Sequence, residues 1–99
     1  MSYQIIFHPQ AQEEYTEAHL WYELAQQGLG DRFEQMVEQR LLRISENPES
    51  YKISKKAYRE VGIDVFPHTI VYKINKKKRQ VYISAVYHTK RNPKGKYRK

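Results

Sequence analysis

The hydrophobic pattern of this chain changes its period halfway along, and that change limits the folds open to it. Up to about residue 46, apolar residues recur every three or four positions, the spacing of a helix face. From residue 57 they alternate with polar ones, the spacing of a half-buried strand. A chain of 99 residues with no internal repeat therefore predicts a single α+β domain, in which a helical hairpin packs on an antiparallel sheet.

The first half predicts a short strand over residues 3–7, followed by two helices. Pro9 suits the first helical turn, where its missing N–H has no partner in any case. Gly28 and Gly30 permit the reversal between the helices. The first helix should bury one face, which consists of Ala11, Tyr15, Ala18, Tyr22 and Ala25 and is widened by Leu20, Trp21 and Leu24. Trp21 is expected to anchor the hairpin in the core or in a groove. The second should bury Leu29, Phe33, Met36, Val37, Leu41 and Ile44.

The second half predicts three strands in an antiparallel meander, within residues 57–66, 69–74 and 81–88. The alternation places Arg59 on the inward side of its strand with Val61. In the last strand it places Val81, Ile83 and Ala85 on one face. The predicted order is β-α-α-β-β-β over a domain of residues 1–91. The basic tail, residues 92–99, is expected to be loose unless bound.

The two halves of the chain differ in charge as sharply as they differ in hydrophobic period. Residues 1–50 hold nine acidic and three basic side chains, a formal charge of −6. Residues 51–99 hold two acidic and fifteen basic ones, a formal charge of +13. The strong positive charge of residues 51–99 favours a polyanionic partner, either a nucleic acid or an acidic protein segment.

Several classes of protein are disfavoured by composition. Without cysteine there is no disulfide and no thiolate metal site. The four histidines are scattered and no phosphate-binding glycine loop is present, so neither a metal nor a cofactor is expected. The first ten residues do not resemble a secretion signal, and no stretch approaches the roughly 20 apolar residues of a membrane span. A cytoplasmic protein without membrane contact is expected.

Five short motifs occur in the same order as in the RelE/ParE superfamily of bacterial type II toxins, which this chain resembles over residues 3 to 93. They are "FHPQAQEEY", "WYELAQQGLGDRF", "RISENPESY", "VFPHTIVYKI" and "AVYHTKRNP". The resemblance implies a growth-inhibiting toxin encoded beside an acidic, partly disordered antitoxin that folds on it as a hetero-oligomer. The hairpin "PHTIVY" and the closing "HTKRNP" look more like the ParE branch, which acts on DNA gyrase.

The residues near the end of the last strand are the candidates for function. His88 ends the strand beside a basic pair, Lys90 and Arg91. The imidazole is either a catalytic group or a strand cap that bonds a neighbouring backbone group. The basic pair either clamps phosphate or binds carboxylates of the antitoxin, and we favour the antitoxin. Binding residues are predicted to be Arg59, Tyr87, His88, Lys90, Arg91 and Tyr97. Surface roles are expected for the other histidines, including His68.

Three functions stay open at this point. A ParE-like toxin is favoured. A RelE-like, ribosome-dependent endoribonuclease is the alternative, and it would cleave mRNA without a metal through attack of the 2′-hydroxyl, using His88 with Arg59 and Arg91. A basic nucleic-acid-binding module is the third possibility, which explains the charge but not the ordered motifs.

Overall fold

The computed structural model describes residues 2–91 and 95–98. Two helices, α1 (Pro9–Ala25) and α2 (Leu29–Glu46), pack on one face of a five-stranded sheet. The strands are β1 (Gln4–Phe7), β2 (Ile53–Lys55), β3 (Tyr58–Gly62), β4 (His68–Asn75) and β5 (Gln80–His88). The predicted α+β architecture is confirmed. The short edge strand β2 was not predicted, because its three exposed residues carry no alternating pattern.

The strands lie in the order β1-β5-β4-β3-β2. All neighbours are antiparallel except β1 and β5, which run parallel and pair from Gln4 with Gln80 to Phe7 with Ile83. The predicted antiparallel meander of the last three strands is confirmed, and the edge strand β1 adds one parallel pair to the predicted antiparallel sheet. A parallel pair requires a long crossover, which both helices and three strands supply here.

The core lies between the helical hairpin and the sheet. It contains the predicted stripes of both helices and the inward residues of the strands, among them Tyr15, Tyr22, Phe33, Val37, Leu41, Ile44, Ile70, Tyr72, Val81 and Ile83. Leu20, Trp21 and Leu24 do not belong to it, since each is more than half exposed. Ala25, at the end of the predicted stripe of α1, is exposed as well. Of the two positions expected for Trp21, a core or a groove, the core is excluded, because the buried stripe of α1 passes beside it.

A β-bulge in β5 changes which face its last residues occupy. Val71 pairs with Ala85 and the next residue, Tyr72, pairs with Ile83, so Ser84 is an extra residue in β5. The bulge reverses the alternation. Val81 and Ile83 face the helices, whereas Ala85 lies in a cluster on the opposite face. The prediction that all three share a face was wrong for Ala85, since a bulge leaves no mark in the alternation of apolar residues.

The sheet face away from the helices carries a second, smaller cluster. Tyr58, Val71, Ala85 and Tyr87 are buried there, and Tyr97 from the tail packs against them. Tyr97 of the predicted tail is thus in contact with the sheet. Residues 92–94 and 99 of that tail lie outside the described residues, and its looseness stays a prediction. We call this side of the sheet the open face.

Candidate functional site

The end of the sheet at which β4 begins and β5 ends forms one wall of a cleft of about 720 Å³. Helix α1 forms the other wall. The helix contributes Glu14, Glu17, Ala18, Trp21 and Tyr22, and the strands and the following turn contribute His68, Val86, Tyr87, His88, Lys90 and Arg91. We call it the His88 cleft.

A tight turn after β5 brings the predicted basic pair beside His88. The N–H of Arg91 donates to the carbonyl of His88 at 2.9 Å, and the N–H of Thr89 donates to the carbonyl of Pro67 at 2.8 Å. The turn is therefore tied both to its own strand and to the loop before β4. His88, Lys90 and Arg91 accordingly line one concavity.

The imidazole of His88 accepts a hydrogen bond from the backbone. Its Nδ1 lies 3.2 Å from the N–H of Lys90, which is the strand-capping contact considered from the sequence. In neutral histidine only one ring nitrogen accepts, so Nε2 carries the proton when Nδ1 accepts. An Nε2–H donates to an anion and cannot remove a proton from a hydroxyl. This geometry favours anion binding over general-base chemistry.

His68 forms the floor of the cleft and was missed by sequence reasoning. It is 6% exposed, contrary to the surface role that was expected. The Tyr22 hydroxyl lies 3.4 Å from its Nδ1, and the rings of Phe33 and His88 pack at centroid distances of 4.9 and 5.2 Å. Burial, reinforced by the charges of His88 and Arg91, lowers the pKa of His68 to about 4. It is therefore uncharged at neutral pH.

Two carboxylates of the helix wall, Glu14 and Glu17, were also missed, although a signal for them exists. Glu14, Glu17 and Trp21 are spaced by three and four residues, so they form a second stripe on α1 beside the buried one. Trp21 is 67% exposed and offers a flat apolar surface. The cleft thus combines an exposed aromatic ring with charges of both signs.

Arg59 is not brought to this cleft. It lies near the start of β3, where it pairs with Tyr72 of β4, and its guanidinium donates to the carbonyl of Tyr51 at 2.5 Å. It lines a different cleft, of about 800 Å³, with Lys73, Lys76 and Lys77. Arg59 and His88 therefore face separate spaces, and the segment after α2 engages the guanidinium.

Tyr87 and Tyr97 direct their hydroxyls to the open face, where both donate to the carboxylate of Glu60. Ser54 donates to the same carboxylate at 2.6 Å and Lys96 lies 3.5 Å away. Burial alone would raise the pKa of Glu60. The hydrogen bonds from Ser54, Tyr97 and Tyr87, with the charge of Lys96, outweigh burial and lower it. Glu60 therefore holds the tail as an ionised acceptor.

One group of possible metal ligands lies elsewhere, on the surface of the helical hairpin. Ligand atoms of His19, Asp31 and Glu34 lie within 4.8 Å of one another. His19 already pairs with Asp31 at 3.3 Å, so the grouping is explained without an ion. Among the described residues, no helix is both long and apolar enough to cross a membrane.

Comparison with known proteins gives a family and a fold. The model of the ParE toxin of the type II toxin–antitoxin system parDE matches residues 5–93. A mutant of the E. coli toxin RelE in the free state is similar with a TM-score of 0.67 and 16% identity, over 93% of this chain and 88% of that one. The isolated E. coli RelE toxin has a TM-score of 0.67 and 18% identity, over 88% and 84%.

A RelE mutant in complex with a peptide of the antitoxin RelB is also similar. Its TM-score is 0.65 and its identity 19%, over 87% of this chain and 82% of that one. No curated protein sequence matches the chain. At such identities the solved structures show a shared fold, whereas function has to be argued from the site.

Proposed function

Because this chain belongs to the ParE toxin family, it is the toxin of a type II toxin–antitoxin system, and we propose that it acts on DNA gyrase. We further propose that an acidic antitoxin neutralises it by binding at the His88 cleft. One solved relative of similar fold, RelE, is bound to a peptide of its antitoxin. For the present chain, the formal charge of +13 on residues 51–99 favours such a partner.

The separation of Arg59 from His88 is the observation that carries this proposal. Metal-free cleavage of RNA requires a base, an acid and cations around one phosphate. Here Arg59 and His88 line different clefts. The Nδ1 of His88 already accepts a backbone hydrogen bond. The cleft therefore offers hydrogen-bond donors and cations to an anion, which suits binding better than catalysis.

The apolar part of the cleft favours a protein ligand over a bare phosphate backbone. Trp21 is exposed at its wall, and Leu20 and Leu24 of the same helix are exposed as well. Exposed aromatic residues are common anchors at protein interfaces, and charges around them steer the partner. An acidic segment with apolar side chains has the complementary chemistry.

The fold shared with RelE favours the alternative, a ribosome-dependent mRNA endoribonuclease, and one experiment separates the two. Wild type and His88→Ala are expressed from an inducible promoter while a translated message is followed by primer extension. The purified proteins are incubated with gyrase and plasmid DNA. We expect trapped cleavage complexes, a DNA-damage response and intact messages. Messages cut within minutes, with the cutting lost in His88→Ala, would establish the nuclease instead.

A further inference from the structure

The described end of the tail is attached to helix α1 by an ion pair. The guanidinium of Arg98 bonds both carboxylate oxygens of Glu14, at 3.1 and 2.9 Å, and also donates to the carbonyl of Ser84 at 2.9 Å. Both side chains are largely withdrawn from water, at 14% and 26% exposure. A two-point contact of this kind holds its geometry better than a single surface pair.

Glu14 belongs at the same time to the His88 cleft. It lines the cleft, and its Oε1 accepts the N–H of Val86 at 2.9 Å, which holds the carboxylate against β5. Arg98 is not among the residues that line the cleft. Arg98 of the tail can therefore influence the cleft by neutralising the charge of Glu14.

The net charge of the cleft depends on the ion pair between Arg98 and Glu14. Its lining contains two acidic side chains, Glu14 and Glu17, and two basic ones, Lys90 and Arg91, so its formal charge is zero. With Arg98 paired to Glu14 the local charge becomes +1. We propose that Arg98 is a specificity-determining residue, which neutralises Glu14 and so lets the His88 cleft select an anionic partner. This inference rests on the proposed docking of an acidic antitoxin there.

Trp21 allows a direct test, because it is the only tryptophan of the chain and lines the cleft. A blocked decapeptide of glutamate is titrated into the full chain at low salt, and the fluorescence of Trp21 reports binding. We expect Arg98→Ala to weaken binding about three- to tenfold, the effect of one nearby charge in a mostly aqueous setting. Arg98→Lys keeps the charge and should bind within about twofold of wild type.

The double variant Glu14→Gln/Arg98→Ala separates charge from structure. If Arg98 acts by neutralising Glu14, removing both charges restores an affinity within about twofold of wild type. Lys78→Ala is the matched control for general loss of positive charge, since Lys78 lies in the turn between β4 and β5, at the other end of these strands. Thermal unfolding of each variant verifies that the domain is folded.

Two results would overturn this inference alone. Wild-type affinity in Arg98→Ala, or failure of the double variant to recover, would show that the tail does not set the charge of the cleft. In either case peptide binding that is weakened by Arg91→Ala but not by Lys78→Ala would leave the docking proposal intact. If the wild-type protein shows no response of Trp21 to the peptide, the docking proposal fails and this inference fails with it.

Discussion

The rings of His68 and His88 lie with their centroids 5.2 Å apart, and the two residues are partners in the last pair of the β4–β5 ladder. His68 is enclosed by Tyr22 and Phe33, whereas His88 forms the wall of the cleft. A proton on His68 would thus be buried and would lie near His88 and the charge of Arg91. The buried member of the pair is therefore kept neutral.

This relationship predicts a loss of stability in mild acid. The pKa of His68 is about 4 in the folded state against 6.5 for the ordinary residue. Between these values the unfolded chain binds the proton and the folded chain does not, so stability falls as pH falls from 6.5 to 4. From pH 7 to pH 5 we expect a loss of about 2 kcal/mol from this residue.

Urea denaturation at pH 7 and pH 5 measures this loss, with His68→Phe as the comparison. The phenyl ring keeps an aromatic group beside Phe33 and Tyr22 but cannot titrate. The variant should therefore lose most of the difference in unfolding free energy between the two pH values. An unchanged pH dependence in His68→Phe would assign the effect to other groups.

Arg91→Ala should weaken antitoxin binding about three- to tenfold, because an exposed cation at an interface acts mainly through long-range attraction and encounter rate. The partner for this measurement is the proposed acidic antitoxin. The affinity of the variant should also depend less steeply on salt than that of the wild type. Lys78→Ala removes the same charge away from the cleft, and equal effects of the two substitutions would refute a specific role of Arg91.

Val65→Asn should stabilise the fold. Val65 precedes Phe66 in the loop before β4 and has a φ of 76°, a conformation unfavourable for a β-branched residue. Its side chain is 75% exposed, so little burial is lost on replacement. Asparagine tolerates this conformation better, and we expect a gain of about 1 kcal/mol in unfolding free energy.

Val65→Thr is the matched control for that gain. Threonine keeps the branch at Cβ and nearly the same volume, so the strain should persist and stability should stay near wild type. Equal melting temperatures for Val65→Asn and Val65→Thr would contradict the assignment of strain to this residue.

Gly30→Ala should disrupt the helical hairpin. A Cβ at Gly30 would lie 2.5 Å from the carbonyl oxygen of His19 and 2.8 Å from Cβ of Glu23, so the helices would have to move apart. That movement also disturbs the carboxylate of Glu23, which accepts the N–H groups of Gly28 and Gly30 at 2.8 and 3.0 Å. We expect a destabilisation of about 2–4 kcal/mol, measured by urea denaturation.

Gly62→Ala provides the contrast, since nothing lies within 4 Å of a Cβ at that position and its φ is not positive. Its stability should be unchanged or rise by less than about 1 kcal/mol. Should both substitutions have the same effect, close packing at Gly30 would not be the cause.

Local patterns along the chain were enough to predict the helical hairpin, the three-stranded meander and the cluster of His88, Lys90 and Arg91. Each follows from local order along the chain, because a period of three to four or of two residues selects the element and its buried face. The strand-end position of His88 and the two cations that follow it are likewise adjacent in sequence. Such features need no knowledge of distant contacts.

The groups around that cluster come from distant parts of the chain and became apparent from the three-dimensional fold. The bulge at Ser84 sends Val86 to the helix side of the sheet and Ala85 to the open face. Folding then places α1 and the tail beside β5, so that Glu14 pairs with Arg98, 84 positions away along the chain. The net charge of the cleft and the burial of its side chains depend on residues that are far apart in the sequence and close together only in the fold. No periodicity or short motif can therefore predict them.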